Sequence, residues 1–123
     1  TDAACDTVSY ADFAEGYFLT RAMMDWFWRQ YLENAAQKDD PLASPLRAED
    51  LTDLPPTTLI SAEFDPLRDE GEAFAQRLHA AGVPVRVQRC DGMIHGFISM
   101  APFVERAAEH LAQAAAELRE ALN

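Results

Sequence analysis

A chain of 123 residues, 49% of them hydrophobic, is long enough for one modest domain with a buried core. Its net charge of -11 is spread over helix-like segments, which argues against nucleic acid and anionic membranes as partners. No stretch approaches the roughly 20 apolar residues of a membrane span and no secretory leader pattern is visible, so a cytoplasmic location is expected. Cys5 and Cys90 lie far apart and show no metal-binding spacing, so we expect neither a disulfide framework nor a metal, and no cofactor.

The first predicted helix covers residues 19–36. Residues 1–16 before it show no apolar period and contain several turn formers. Apolar side chains then recur every three or four residues, and Thr20 is well placed as an N-cap. The apolar positions are Leu19, Met23, Phe27 and Tyr31. We interpret the aromatic side as a packing face, which is more common than a cofactor-binding role.

A proline-rich linker, residues 37–56, separates this helix from a strand-like run. The predicted division of the chain is therefore 1–54, a helical segment with its linker, and 55–123. Residues 57–62 are short, β-branched at the start and uncharged, which is typical of a central parallel strand. The strand is expected to stop before Pro66, because proline has no amide hydrogen for a ladder.

The second part of the chain predicts a helix, a strand and a helix. Residues 68–81 have helical spacing and end at Gly82, a good residue for a left-handed helix end. Residues 83–89 alternate valine with polar residues or proline, as in a half-exposed last strand. An apolar stripe over 104–122 predicts an amphipathic helix across the sheet. The order is half of a doubly wound α/β fold, and since two strands make a poor sheet, we expect it to be incomplete on its own.

Asp65 and His95 are the candidate catalytic pair. Each follows a predicted parallel strand, and the carboxyl ends of such strands meet at one edge of a sheet. A carboxylate on one ring nitrogen lets histidine accept a proton from a hydroxyl at neutral pH. We therefore expect a hydrogen bond of ~2.6–3.2 Å between the two side chains, leaving the other nitrogen free. Gly92 and Gly96 place His95 in a loop, although a purely structural histidine is the alternative.

Other polar residues receive structural interpretations. Asp69 and Glu70 are rival carboxylates, but they lie in the first turn of a helix, where backbone amides stabilise negative charge. His79 and His110 lie in charge-rich helical segments and are expected on the solvated surface. Asp91 precedes a glycine and is interpreted as a turn residue.

The run Asp65-Pro-Leu-Arg-Asp-Glu-Gly71, followed 30 positions after Asp65 by His95-Gly-Phe97, resembles the C-terminal third of the hormone-sensitive lipase family of esterases and lipases. Gly16-Tyr-Phe-Leu-Thr20, Trp26-Phe-Trp28 and Asp40-Pro-Leu-Ala-Ser-Pro-Leu46 also resemble that family, so the likeness covers nearly the whole chain. It implies the C-terminal portion of a doubly wound α/β-hydrolase sheet, with its last two strands and flanking helices, preceded by a helical cap segment.

The resemblance implies site roles as well. Asp65 would be the triad acid and His95 the general base. Among the cap residues, Phe18, Leu19 or Met23 would help to line the acyl pocket. Three further residues flank the pair and are candidates for substrate contact, with core packing as the alternative. They are Leu67, Ile94 and Phe97.

The nucleophile and oxyanion motifs of that family are missing from this chain. A G-x-S-x-G elbow uses glycines around a sharp turn, and none of the four serines has this setting. No His-Gly-Gly stretch is present to supply oxyanion donors. The serine and the oxyanion hole are therefore expected outside the chain, in an upstream part of the same hydrolase.

Two hypotheses of function follow. In the first, the chain is the acid- and base-bearing part of a serine carboxylesterase acting on short to medium acyl esters. In the second, it is a catalytically inactive, truncated hydrolase fragment that acts as a packing or oligomerisation module. The resembled family commonly dimerises through its last strand and C-terminal helix, so a homodimer through these elements is expected.

Overall fold

Two parallel strands form the sheet of the computed structural model, which describes residues 1–122. The strands are β1, Thr57–Phe64, and β2, Val85–Ile94. The α-helices are α1, Val8–Asp12; α2, Arg21–Tyr31; α3, Arg68–Ala80; and α4, Glu105–Ala121. Three short 3-10 helices lie at Ala35–Asp39, Pro45–Arg47 and Phe97–Met100. The predicted order of strand, helix, strand and helix in the second part is confirmed.

The sheet lies between α3 and α4, so its two faces have separate apolar clusters. On the α3 side, the buried residues are Leu51, Leu78 and Val83. On the α4 side, they are Ala62, Cys90, Met93, Phe97 and Ala107. A carboxylate on α3 joins both strands, since Glu72 accepts from Ser61 Oγ at 2.8 Å and from Arg89 Nε at 2.9 Å. The α/β class predicted from the sequence is thus observed.

Strand β2 differs from its predicted bounds because it contains a β-bulge. It begins at Val85 rather than at residue 83 and runs past residue 89 to Ile94. Ala62 pairs with Cys90 but Phe64 pairs with Ile94, so two steps along β1 match four along β2. The predicted turn at Asp91 is therefore wrong.

Within this bulge, which we define as residues 91–93, Gly92 has φ +76°. Glycine reaches this left-handed region without the steric penalty of a Cβ atom. The extra residues of β2 are accommodated at Gly92. Pairing with β1 therefore resumes after the bulge, and the strand continues beyond the predicted turn.

Helix α2 has the predicted N-cap but begins at Arg21 rather than at residue 19, and most of its predicted packing face is exposed. The Thr20 hydroxyl accepts a hydrogen bond from Met23 N at 3.1 Å, which confirms the cap. The helix stops at Tyr31 rather than at residue 36, because Asn34 caps the separate turn Ala35–Asp39. No residue of α2 is buried, and Trp26 is 53% exposed. Of the four predicted apolar positions, Met23, Phe27 and Tyr31 are exposed, whereas Leu19 is buried just before the helix.

The N-terminal segment contains α1, which the sequence pattern does not predict. Its Ser9 Oγ donates to the carbonyl of Pro66 at 2.6 Å, and Ser9 N donates to Asp69 Oδ2 at 2.8 Å. Tyr10 beside it is fully buried. These contacts fasten the segment to the start of α3, close to the end of β1.

The C-terminal helix lies over the sheet, as expected. Arg86 pairs with Glu117 at 3.1 Å, and Gln88 Nε2 contacts His110 Nδ1 at 2.8 Å. The surface position predicted for His110 is wrong, since it is also packed edge-on against Phe97. His79 is exposed, as predicted.

Several further predictions concern the chain as a whole. Both cysteines are free and buried, and Gly82 adopts φ +84°, as expected at the end of α3. Within residues 1–122, no helix has the length and apolar character needed to cross a bilayer. The division of the chain at residue 54 stays a prediction.

Candidate active site

Asp65 directly follows β1 and presents its carboxylate at the carboxyl end of the sheet. It is 8% exposed. Its Oδ1 accepts from Leu67 N at 2.8 Å, and its backbone carbonyl accepts from Arg68 N at 3.1 Å. These two hydrogen bonds form a turn that holds the Asp65 carboxylate in place and leaves its Oδ2 free for a second partner.

The partner of Oδ2 is His95, which directly follows β2. The distance from His95 Nδ1 to Asp65 Oδ2 is 2.9 Å, so the predicted hydrogen bond is present. Nε2 makes no hydrogen bond to any residue among 1–122, and 36% of the His95 side chain is exposed. The ring is therefore held on one side and open on the other.

The hydrogen bond to Asp65 raises the pKa of His95 above its ordinary value, although partial burial acts in the opposite direction. A carboxylate on Nδ1 stabilises the imidazolium and selects the neutral tautomer whose lone pair is on Nε2. With Nε2 accessible, the pair has the geometry of a general base with its orienting acid.

Phe18 lies against the loop that carries the histidine. It has φ +72°, a left-handed backbone that non-glycine residues rarely adopt, and its ring atom Cε1 lies 3.8 Å from where a Cβ on Gly96 would be. The side chain is 65% exposed. Such backbone strain is often found beside functional sites. Of the other predicted cap residues, Met23 is exposed, whereas Leu19 is buried within the chain.

The three predicted residues flanking the pair have different surroundings. Leu67 is half-buried and uses its amide to hold Asp65. Ile94 is half-buried and pairs with β1. Phe97 is 5% exposed within the α4-side core, which supports the packing alternative for this residue.

The rival carboxylates are engaged away from His95. Asp69 accepts from Arg68 Nε and from Ser9 N, each at 2.8 Å. Glu70 is 2% exposed, and its Oε1 contacts the backbone nitrogens of the first two residues of the chain. Both therefore have the structural positions expected from their place in the first turn of α3.

The four serine hydroxyls are also engaged elsewhere. Their acceptors are the carbonyl of Pro66 for Ser9, that of Lys38 for Ser44, Glu72 for Ser61, and the carbonyl of Gly96 for Ser99. None donates to Nε2 of His95. Among the described residues, no cluster of three or more His, Cys, Asp or Glu side chains could hold a metal ion.

Glu63 also contacts the site but is not among the residues predicted for it. Its Oε2 accepts a hydrogen bond from Gly92 N at 2.7 Å, inside the bulge that precedes His95. An acidic residue near the end of a strand carries no sequence signal for such a contact, because the contact depends on where the partner strand bulges.

Known proteins share this architecture. A family model described as the alpha/beta hydrolase fold matches residues 1–99. The carboxylic ester hydrolase LipN of Mycobacterium tuberculosis is 43% identical over 101 residues, which are 81% of this chain and 27% of LipN. The ethyl acetate hydrolase of Pseudomonas putida is 35% identical over 122 residues, which are 99% of this chain and 38% of that protein. The structure of the thermostable carboxylesterase EstE1, from a metagenomic library, matches 95% of this chain and 40% of its own, with TM-score 0.91 and 45% identity.

The chain belongs to the α/β-hydrolase fold family, and its predicted resemblance to the hormone-sensitive lipase group is confirmed. It spans only 27% and 38% of the length of the two curated relatives, and it corresponds to their C-terminal part. The sheet of two strands is thus a fragment of the family's sheet.

Proposed function

We propose that this chain supplies the acid and the general base of a serine carboxylic-ester hydrolase acting on short to medium acyl esters. The nucleophilic serine and the oxyanion donors come from residues outside it. The observation that carries the proposal is the hydrogen bond of 2.9 Å between Asp65 and Nδ1 of His95, with Nε2 left accessible. Esterase names among the relatives give independent support.

In the proposed reaction, the imidazole ring of His95 carries out every proton transfer. Asp65 keeps the proton of neutral His95 on Nδ1, so that the lone pair on Nε2 accepts the proton of the serine hydroxyl as it attacks the ester carbonyl. The imidazolium then donates that proton to the departing alkoxide. In the second half, Nε2 takes a proton from water, which hydrolyses the acyl-enzyme. The negative oxygen formed in each half requires donors that this chain does not contribute.

Phe18 is the best supported of the proposed substrate contacts. It is exposed and lies against Gly96, next to the base. Met23 is exposed on α2 and would extend the same apolar surface. We propose that both contact the acyl group of the substrate, with less support for the four more buried candidates. Those four are Leu19, Leu67, Ile94 and Phe97.

The test is hydrolysis of a p-nitrophenyl ester of a short acid by a chain of verified mass. We expect no activity above background from the chain alone, because His95 has no serine held against it. Addition of a polypeptide with the upstream part of the hydrolase should restore turnover, and His95→Ala should abolish it. Robust activity from the 123 residues alone, lost on mutation of one of their own serines, would overturn the proposal.

The second candidate function is an inactive packing or oligomerisation module. It is favoured by the exposed aromatic side chains of α2 and by Leu118 on α4, which is 61% exposed. The intact mass of the purified sample and the presence of a larger companion polypeptide discriminate the two. A cytoplasmic location is proposed from the sequence only, and cell fractionation tests it.

A further inference from the structure

The bulge in β2 decides which residue of that strand meets Asp65. If the register continued unbroken from the pairing of residues 62 and 90, Phe64 would pair with Gly92 and Met93 would follow beside Asp65. The two extra residues shift the strand so that His95 takes that place instead. The catalytic geometry of the pair therefore depends on the bulge.

A bulge removes backbone groups from the ladder, and each such group needs another partner. The partner of the Gly92 amide is the carboxylate of Glu63, whose Oε2 lies 2.7 Å from Gly92 N. Glu63 is the residue of β1 that lies between the two pairs flanking the bulge. Its own backbone carbonyl accepts from Arg68 Nη1 at 3.0 Å, so the residue is fixed from the α3 side.

We propose that Glu63 is a positioning residue for His95, which it places by holding the bulge through the amide of Gly92. The inference rests on the proposed function, because the role matters for delivery of the general base. Glu63 contacts no reacting atom.

The test is nuclear magnetic resonance of the 123-residue chain, with titration of its three histidines. His95 is assigned by its loss in His95→Gln. Its pKa reports the hydrogen bond to Asp65, and the Gly92 amide shift reports the bond to Glu63. Glu63→Ala removes the acceptor, whereas Glu63→Gln keeps an acceptor oxygen and removes the charge.

We expect the parent to show a raised His95 pKa and a downfield Gly92 amide. In Glu63→Ala, His95 should lose more than half of its pKa elevation, and the Gly92 amide should move upfield. Glu63→Gln should retain most of both. Glu109→Ala, which removes one exposed carboxylate from α4, should change neither.

The dispersion of the backbone amide resonances shows whether each variant keeps its fold. The proposal is overturned if Glu63→Ala leaves His95 unchanged, since the bulge then holds without the carboxylate. It is also overturned if Glu63→Gln acts like Glu63→Ala, because charge alone would explain the effect, or if the parent lacks the elevation. None of these readings uses turnover, so failure of the proposed ester hydrolysis is distinguished from failure of this inference.

Discussion

Protonation of His95 connects the site to the stability of the chain. The hydrogen bond to Asp65 raises the pKa of His95, and partial burial only partly offsets it. A group whose folded-state pKa is raised stabilises the fold fully below its unfolded pKa, about 6.5 for histidine, and loses this effect as the pH rises through the folded-state pKa. Asp65→Asn should therefore lower the free energy of unfolding most at a pH about one unit below the unfolded-state pKa of histidine.

Urea denaturation of parent and Asp65→Asn at a series of pH values checks this prediction. The difference between the two should narrow as the pH rises above the folded-state pKa of His95. A difference that widens with rising pH would mean that Asp65 acts on the fold by another route. Asp53→Asn, an exposed carboxylate in the linker, serves as the control.

The proposed role of Asp65 predicts a separate effect on rate in the assembled hydrolase. Asparagine in its place cannot stabilise the imidazolium and can present its amide group to Nδ1, which favours the wrong tautomer. We expect Asp65→Asn to lower kcat by roughly 10³- to 10⁴-fold with a small change in KM. Steady-state kinetics at several pH values tests this, and an equal loss in kcat for Asp53→Asn would show a nonspecific cause.

At the scale of elements, α2 has no fully buried residue, so the local signal at its start should contribute to its stability. The Thr20 hydroxyl satisfies the Met23 amide, one of the donors left free at a helix start. Thr20→Ala should therefore lower the free energy of unfolding by about 1 kcal/mol, with some loss of helical circular dichroism, whereas Thr20→Ser should retain both. Equal behaviour of the two variants would contradict a capping role.

The sequence predicts those elements whose signals are local. β-branched runs and helical periods predicted β1, α3 and α4. Thr20 and Gly82 marked helix ends that the structure confirms. The contact of Asp65 with His95 followed from the rule that parallel strands end at one edge. Local sequence pattern thus locates both members of the proposed catalytic pair.

Features held by distant contacts were not predictable in this way. Helix α1 is five residues long and is fastened through Ser9 to Pro66 and Asp69. The extension of β2 depends on Gly92, whose amide is satisfied by Glu63 across the strands. The apolar period of α2 indicates a face suited to burial, but this pattern does not identify the surface that would cover it.

At the scale of the whole molecule, each strand has one edge without a strand partner within residues 1–122. Such edges are templates for pairing, and α4 also exposes apolar side chains, including Leu111 at 43% and Leu118 at 61%. We propose a homodimer through β2 and α4. Light scattering should show it, and Leu118→Glu should weaken it; monomers at high concentration would count against the proposal.

The aromatic face of α2 has an optical consequence. The chain has two tryptophans, Trp26 and Trp28, and both belong to this one helix. Trp26 is 53% exposed, so its indole fluorescence should peak near the wavelength typical of hydrated tryptophan. If the upstream part of the hydrolase covers α2, the emission should shift to the blue as the two polypeptides combine. The natural fluorescence of the chain would then follow the joining of acid and base to the nucleophile in real time, without any added label.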